Sequence, residues 1–327
     1  MIATSYPEDP DDPAGHFVRA EALSLARAGA DVHVIAPSPY IGDVGVNAHA
    51  AGGISLFSWP GAVSRLAERP SRGLAAAPFA ARAARLLRSI APRRVLAHWL
   101  VPSAFPLSEA APRAELEIVC HGADIRLLLA SPAPLRAAIV RRVIRRATLV
   151  RFVATSLRDA LLASLAPSLA DALARVSRVV PPMVDVSDVG APPGHRGYAV
   201  ITSRLVLDKR VDLAARAAVR AGAPLVVIGD GPCFEAIASV PGVLATGKLG
   251  RRATLSWVRG AATLVHTSRV DAAPTSVLEA RALGVPVISC GAGDVARWAE
   301  TDAAITLVEA AEAPLAAAIA RAMTTRA

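Results

Sequence analysis

The chain has 327 residues, of which 53% are hydrophobic and 4% are aromatic, and its formal net charge is +9. This length exceeds what one hydrophobic core usually fills, so we expect two domains, and the hydrophobic content excludes a disordered chain. No apolar run approaches the roughly 20 residues of a membrane-spanning helix, and the first residues lack the basic start and apolar run of a signal peptide. The expected location is the cytoplasm.

The three cysteines, Cys120, Cys233 and Cys290, are far apart and lie in apolar runs. We interpret them as buried thiols in a reducing compartment, and no cluster of cysteines and histidines has the spacing of metal ligands. The 36 basic residues include only two lysines, Lys209 and Lys248. This excess of arginine indicates a bias of the whole composition, because the arginines are not interleaved with the stacking aromatic residues of a nucleic-acid site.

The first half of the chain alternates strand-like and helical segments. Residues 17–28 have the apolar spacing of a helix, and so do residues 135–147, where arginines fill most remaining positions. Ser156 is predicted to cap the helix that follows the last strand of this half. The strands predicted in this half are residues 1–5, 31–36, 95–98, 117–120 and 151–155.

Residues 179–197 are rich in proline and glycine, so they break both the helical and the strand periodicity. We predict that they link two domains, residues 1–183 and residues 184–327.

The second half alternates strands and helices more regularly. The predicted fold class is α/β, with a doubly wound, Rossmann-like parallel sheet in each of two domains. The domains are expected to face each other across a cleft, and ligands of such sheets bind beyond the carboxyl ends of the strands. The strands predicted in this half are residues 198–202, 225–228, 243–246, 263–266, 286–289 and 304–307, and the helices are residues 211–221, 232–239, 251–260, 276–283, 294–300 and 313–323.

Four features of the second domain lie directly after predicted strands. Arg204 and Lys209 follow the first of these strands, in the sequence SRLVLDK. Two glycine turns follow later strands, GDGP from Gly229 and GKLG from Gly247. The fourth feature is DAAPTSVLE, residues 271–279, which opens a helix.

This combination favours an anion-binding site. Helix N-termini present unpaired backbone N–H groups and partial positive charge, so a helix that starts near Ser276 would hold a phosphate. Arg204 and Lys209 would neutralise a diphosphate there without a metal ion, and Glu279 could accept hydrogen bonds from ribose hydroxyls. Ser276 and Glu279 also have the spacing of a capping box, which is a purely structural feature. Both interpretations stay open from the sequence.

The same segments resemble a known family. SRLVLDKRVD, VVIGDGP, GKLGRRATLSWVRGAATLVHTS and DAAPTSVLEARALGVPVIS are similar to the C-terminal domain of family 4 glycosyltransferases, a retaining group with the GT-B architecture. In the first half, DPAGHFVRAEALSLARAGADVHVIAP, LAHWLVPSA and VCHGADI resemble the opening helix and the acceptor-side loops of that family. The resemblance covers nearly the whole chain.

The resemblance implies a role for each matching residue. Arg204 and Lys209 would bind the donor diphosphate, and Glu279 would bind the ribose. Asp271 stands where the family usually has a glutamate that contacts the donor sugar, and His121 matches a histidine beside that sugar. Arg204, Lys209, Asp271 and His121 are therefore the candidate catalytic residues. The candidate donor-binding residues are Gly15, Gly229, Gly247, Lys248, Ala273, Pro274, Thr275, Ser276 and Glu279.

The implied function is retaining transfer of a sugar from a UDP-, GDP- or ADP-sugar, bound by the domain at 184–327, to an acceptor on the side of the domain at 1–183. The acceptor could be a cell-surface polysaccharide, a lipid-linked molecule or a small molecule. No metal ion or other cofactor is expected, and the departing phosphate would take the acceptor proton. Two alternatives stay open: a nucleotide-sugar epimerase on the same scaffold, and a degenerate binding protein without activity.

The basic segment at residues 135–147 supports a further hypothesis about location. Arginines beside an apolar stripe suit peripheral contact with the anionic inner face of a membrane. The alternative is a helix that packs on the core and has a solvated face.

Overall fold

Short apolar runs form parallel strands in both halves of the chain, which confirms the predicted α/β fold class. The structure is a computed structural model that describes residues 1–57, 62–193 and 197–325. It divides into two compact units, Met1–Met183 and Val184–Ala327. In the described part of the chain, no helix combines the length and the apolar character needed to cross a bilayer.

The strands of the first unit form two groups that Ile2 connects. The strands are β1 (Val32–Ala36), β2 (Val46–Ala50), β3 (Arg94–His98), β4 (Glu115–Cys120), β5 (Ala147–Phe152) and β6 (Ser177–Val179). Ile2 bridges Ile35 in β1 and Ala97 in β3, so the pair β1–β2 and the four-stranded group β3–β4–β5–β6 continue each other.

Helices cover both faces of these strands. Val34 in β1 packs with Val18 in a first helix, whereas its neighbour Ile35 packs in the cluster that contains Phe79. This alternation follows from the strand geometry, in which successive side chains point to opposite faces. The helices are α1 (His16–Arg27), α2 (Ala62–Glu68), α3 (Ala76–Ile90), α4 (Ala123–Ala130), α5 (Ala133–Ile144), α6 (Thr155–Ala163) and α7 (Pro167–Val176).

The second unit contains a six-stranded parallel sheet. Its strands are β7 (Ala199–Thr202), β8 (Leu225–Ile228), β9 (Val243–Gly247), β10 (Thr263–His266), β11 (Val287–Ser289) and β12 (Ile305–Leu307). Their order in the sheet is β12-β11-β10-β7-β8-β9. The chain therefore builds the sheet outward from β7 in one direction and then in the other.

Two hydrophobic clusters sandwich this second sheet. Val200 and Leu264 belong to the cluster that contains Val277, and Ile201 and Val265 belong to the other. The four central strands, β7, β8, β10 and β11, are thus buried on both faces, which is typical of a doubly wound sheet. The helices of this unit are α8 (Val211–Arg220), α9 (Phe234–Ala238), α10 (Arg251–Gly260), α11 (Thr275–Ala282), α12 (Val295–Ala299) and α13 (Glu312–Thr325).

The structure corrects three local predictions. Strand β5 begins four residues earlier than predicted and ends at Phe152, because the apolar run ATLVRF forms the whole strand. Ser156 does not cap α6, since the helix begins at Thr155 with Ala154 as its N-cap residue. In the first predicted strand only Ile2 forms a bridge. The predicted linker contains the boundary between the units, and its residues 194–196 lie outside the described residues.

Candidate functional site

The loops that follow the strands of the second sheet meet at one edge, because all of these strands are parallel. Strand β7 pairs with β8 on one side and with β10 on the other, so the order of the chain reverses beside β7. Ligands of open α/β sheets bind at such a switch point. Arg204 and Lys209 lie in the loop after β7, and Asp271 lies in the loop after β10.

Two glycines bring the loop after β8 against the loop that contains Arg204. A Cβ atom on Gly229 would lie 1.8 Å from the carbonyl oxygen of Ser203, and a Cβ atom on Gly231 would lie 2.5 Å from that of Leu205. Their φ angles of 143° and 152° also favour glycine. The GDGP turn therefore fixes the backbone on both sides of Arg204.

The ion pair between Lys209 and Asp271 is the centre of this edge. Nζ of Lys209 lies 2.6 Å from Oδ2 of Asp271, and the two side chains are 18% and 21% exposed. The resemblance assigned these residues to different parts of the donor, the diphosphate and the sugar. The structure joins them directly. An ammonium group has three N–H donors, so Lys209 can still donate to a second anion.

His266, which the sequence analysis did not single out, holds the same carboxylate. It ends β10 beside Ser289, its register partner at the end of β11. Nε2 of His266 lies 3.4 Å from Oδ2 of Asp271, and Nδ1 lies 2.9 Å from Oγ of Ser289. The Ser289 hydroxyl accepts the N–H of Gly291 at 3.0 Å, so its proton is available to Nδ1, and Nε2–H faces Asp271.

Ser289, His266 and Asp271 do not form the catalytic triad of a hydrolase. Ser289 is 0% exposed, so its hydroxyl cannot meet a substrate as a nucleophile. In the sequence, the signal for this series of contacts is a histidine and a serine that end neighbouring apolar strands.

The charge of Asp271 follows from its surroundings. Burial raises the pKa of the carboxyl group, but the hydrogen bond from His266 and the charge of Lys209 lower that pKa by more than burial raises it. The net result is a pKa well below the usual range, so Asp271 is anionic at neutral pH.

The backbone at Lys209 is tied to the loop after β10. Thr267 donates its hydroxyl to the carbonyl oxygen of Lys209 at 2.8 Å, and Nε of Arg210 donates to the carbonyl oxygen of Thr267 at 2.8 Å. Arg210 has a left-handed conformation, with φ 47° and ψ 41°. Its side chain thus spans the two loops from a backbone conformation that is uncommon outside glycine.

Helix α11 begins at Thr275, after Pro274, and no side chain caps this end. Ser276 lies inside the first turn, so the capping-box interpretation of Ser276 and Glu279 is wrong. A Cβ atom on Gly293 would lie 2.2 Å from the carbonyl oxygen of Ala272, so Gly293 supports the loop that leads into this helix. The phosphate contact of Ala273, Pro274, Thr275 and Ser276 stays a prediction.

Glu279 pairs with Arg251, a residue that sequence reasoning missed. Nη1 of Arg251 lies 2.7 Å from Oε1 of Glu279, and the side chains are 13% and 8% exposed. Burial raises the pKa of Glu279, and the charge of Arg251 opposes that rise. Arg251 also donates to the carbonyl oxygen of Asp185 at 2.7 Å, so it connects α10, α11 and the start of the unit.

The GKLG turn lies beside the GDGP turn. Gly247 ends β9 with a φ of 74°, and its carbonyl oxygen accepts the N–H of Gly229 at 2.9 Å. The side chain of Lys248 is exposed. The structure therefore collects Gly229 and Gly247 at the same edge as the loop of Arg204.

In the first unit, Gly15 and His121 belong to one neighbourhood. Gly15 precedes α1 with a φ of 67°, and a Cβ atom there would lie 2.6 Å from the backbone of Ser5. Two residues further on, the ring centroid of Phe17 lies 4.8 Å from that of His121, and the Trp99 centroid lies at 4.7 Å. Burial lowers the pKa of His121 to about 3, so this ring is neutral at physiological pH.

A charged cluster that the sequence analysis did not predict lies next to His121. His98 and His121 share a hydrogen bond of 3.0 Å, and Nε2 of His98 lies 3.7 Å from Oε2 of Glu21. Arg151 pairs with Glu21 and lies 2.7 Å from Glu117. Glutamates at alternate positions of β4 and a single arginine in the otherwise mostly apolar strand β5 are the sequence signal that could have found it.

Most arginines of the basic segment at residues 135–147 bind other groups of the protein. Arg136 donates to the carbonyl oxygens of Leu129 and Ser131 at 3.2 and 2.9 Å, at the end of α4. Arg142 pairs with Glu109 at 2.5 Å, and Arg146 lies 3.5 Å from the same residue. Membrane contact by this segment stays a prediction, for which the exposed residues are Leu135, Ala138, Arg141, Arg142 and Arg145.

The cysteines are unpaired thiols, and Cys120 is fully buried, whereas Cys233 and Cys290 are half-buried. Among residues 1–57, 62–193 and 197–325, no three side chains of His, Cys, Asp or Glu are grouped as metal ligands would be.

Residues 197–325 match the family model described as Glycosyl transferases group 1. The chain matches no curated protein. Among solved structures, it is similar to Anabaena HepE in complex with UDP, at 16% identity over 97% of this chain and 89% of that one, with a TM-score of 0.63.

Two other solved structures have a similar fold. Sucrose-phosphate synthase from Thermosynechococcus elongatus is 15% identical over 94% of this chain and 83% of that one, with a TM-score of 0.68. WaaG, a glycosyltransferase involved in lipopolysaccharide biosynthesis, is 16% identical over 94% and 86%, with a TM-score of 0.62. At these identities the likeness concerns the fold, and it confirms the predicted GT-B class of two Rossmann-like domains.

Proposed function

We propose that the chain is a glycosyltransferase that takes a sugar from a nucleotide-diphosphate sugar, retains the configuration at the anomeric carbon and needs no metal ion. The observation that carries the proposal is the ammonium group of Lys209, held in the loop after β7 and next to the loop that opens α11. The match of residues 197–325 to the Glycosyl transferases group 1 model supports it independently.

The chemistry follows from where charge grows. When the bond between sugar and phosphate breaks, negative charge develops on the diphosphate. Lys209, Arg204 and the first N–H groups of α11 would stabilise that charge, and fixed positive groups of this kind act most strongly in the transition state. No metal ion would be required for this step.

Glu279 would bind the ribose of the donor. Its carboxylate is buried and already accepts a hydrogen bond from Arg251, which fixes its orientation before the ligand arrives. A carboxylate offers several lone pairs, so it can accept a ribose hydroxyl in addition to Arg251.

In the first unit, the aromatic group of Phe17, Trp99 and His121 would contact an uncharged sugar. Because His121 is neutral, it offers a hydrogen-bonding ring without adding charge. A retaining transfer in which the departing phosphate takes the acceptor proton needs no carboxylate base in this unit.

A ligand screen followed by product analysis tests the proposal. UDP, GDP and ADP are compared by thermal shift, and we expect one of them to raise the melting temperature, because a ligand that binds the native state stabilises it. The matching nucleotide sugars are then incubated with candidate acceptors. Release of the nucleoside diphosphate is expected. An isomerised nucleotide sugar would indicate an epimerase, and binding without turnover of any acceptor would indicate a degenerate binding protein.

A further inference from the structure

We infer that Asp271 is a positioning residue for Lys209, held in place by His266 and Ser289, and that it does not contact the donor sugar. The inference rests on the proposed function for the role of Lys209. It assigns roles to His266 and Ser289, which the resemblance left without a role, and it changes the role of Asp271.

Both oxygens of Asp271 are engaged inside the protein. Oδ2 receives the ammonium of Lys209 and the imidazole of His266, and Oδ1 accepts the backbone N–H of Ala272 at 3.2 Å. A carboxylate in this arrangement faces the lysine. Because aspartate is one methylene shorter than glutamate, Asp271 also reaches less far from its backbone.

The chain of contacts begins in the buried part of the sheet and ends at the exposed edge. Ser289 and His266 are 0% and 5% exposed, whereas Asp271 and Lys209 are about one-fifth exposed at the side chain. Each buried residue ends a strand of the sheet, so its backbone is fixed. The sheet thereby sets the position of the carboxylate, and the carboxylate sets the position of the ammonium group.

The backbone of Lys209 is held from the same side. Thr267, the residue after His266, donates its hydroxyl to the carbonyl oxygen of Lys209. The lysine is therefore fixed at both its carbonyl group and its ammonium group by β10 and the loop that follows it. A side chain with four rotatable bonds loses much of its rotamer freedom before any ligand binds, which lowers the entropic cost of binding.

The small number of lysines makes this arrangement directly measurable. Reductive dimethylation with ¹³C-formaldehyde labels Lys209 and Lys248, keeps the charge and leaves one N–H on each nitrogen. Lys209→Arg assigns the two side-chain signals in an NMR spectrum. Lys248 is exposed, so its signal serves as an internal reference.

Two variants break the series of contacts from Ser289 through His266 to Asp271 and leave both Asp271 and Lys209 in place. His266→Asn removes the ring that contacts Asp271, and Ser289→Ala removes the hydroxyl that fixes the ring. Ser289→Thr keeps the hydroxyl and is the rescue variant. Ser256→Ala is the matched control, because Ser256 is also buried and its hydroxyl donates to a backbone carbonyl in α10 at 2.8 Å.

In the ligand-free protein, we expect the Lys209 signal to be displaced from its position in the urea-unfolded protein and to move towards that position in His266→Asn and Ser289→Ala. Ser289→Thr and Ser256→Ala should leave it in place. An unchanged Lys209 signal in a folded His266→Asn protein overturns the inference. This measurement needs no donor, so it stands even if the proposed function fails.

The nucleotide that raises the melting temperature in the screen supplies the second measurement. His266→Asn should raise its Kd about 10-fold, the effect of losing a hydrogen bond to a charged group. The Kd of the matching nucleotide sugar should rise by the same factor, because the sugar does not meet Asp271. A loss confined to the nucleotide sugar would show that the carboxylate contacts the sugar and would overturn the inference.

Discussion

The carboxyl edges of the two sheets contain similar residue types in opposite electrostatic states. In the second unit, Asp271 pairs with a partly exposed lysine, and His266 contacts the same carboxylate. In the first unit, His98 and His121 form a neutral pair against aromatic rings. A histidine ends or follows a strand in both cases, so the neighbours of the ring decide its role.

The difference indicates that the two units suit different parts of a ligand. A cation with fixed geometry suits a ligand with negative charge, and a neutral, aromatic surface suits an uncharged ring. Next to the histidine pair, Arg151 forms ion pairs with both Glu21 and Glu117. The following predictions test whether the second unit depends on charge and the first on neutrality.

The largest expected effect is on stability, in Arg251→Ala. The change leaves Glu279 buried without its ion-pair partner, which typically costs about 3–5 kcal/mol. Urea unfolding of both proteins measures the difference. Arg216→Ala, which removes an exposed arginine of α8, should stay within about 0.5 kcal/mol of wild type. A loss below about 1 kcal/mol in Arg251→Ala would mean that water replaces the guanidinium.

Lys209→Ala should lower turnover about 100- to 1,000-fold, the range seen when one group that stabilises transition-state charge is removed. The melting temperature should change little, because the side chain is close to the surface. Product release under saturating donor is the measurement, with Arg216→Ala as the control for loss of one positive charge. Wild-type turnover in Lys209→Ala would remove the basis for the proposed function.

Gly229→Ala should cost about 1–3 kcal/mol, because the new Cβ atom would overlap the carbonyl oxygen of Ser203 and force the Arg204 loop to move. Gly222→Ala is the matched control. Gly222 also has a positive φ, of 63°, but a Cβ atom there meets nothing within 4 Å. Unfolding measurements on both variants separate the free-energy cost of an alanine at positive φ from the cost of its overlap with Ser203. Equal losses would show that contact between the loops is unimportant.

The smallest expected effect is a change in pH dependence at His121. Burial keeps this ring neutral in the folded protein, so the unfolded chain binds a proton below about pH 6.5 that the folded chain binds only near pH 3. Stability should therefore fall as the pH drops through this window, by at most about 1.4 kcal/mol per pH unit. Because the residue is partly exposed, we expect a smaller slope.

His121→Asn should flatten that slope. Urea midpoints measured between about pH 7 and pH 5 give the comparison, and parallel curves for the two proteins would show that the ring is solvated.

The sequence predicted the strands and helices of the second unit well, because short apolar runs alternate there with helical spacing. It also brought Lys209 and Asp271 to one sheet edge. It did not predict that they pair with each other, because this depends on loop paths that no periodicity encodes. His266, Ser289 and Arg251 were missed for the same reason, since each acts through a partner distant in sequence. The capping-box spacing at Ser276 misled because the helix begins at Thr275, which places Ser276 inside the helix and not at its N-cap.

The left-handed conformation of Arg210 has a consequence for how this site could change. Such a backbone typically costs a side-chain-bearing residue about 1–3 kcal/mol, and here the guanidinium compensates by binding two carbonyl groups of the neighbouring loop. Exchange to glycine would relax the backbone and at the same time release that loop. The relief of strain and the loss of these two hydrogen bonds oppose each other in stability, whereas the released loop holds Lys209 less firmly. Ligand affinity would therefore fall without a matching change in thermal tolerance.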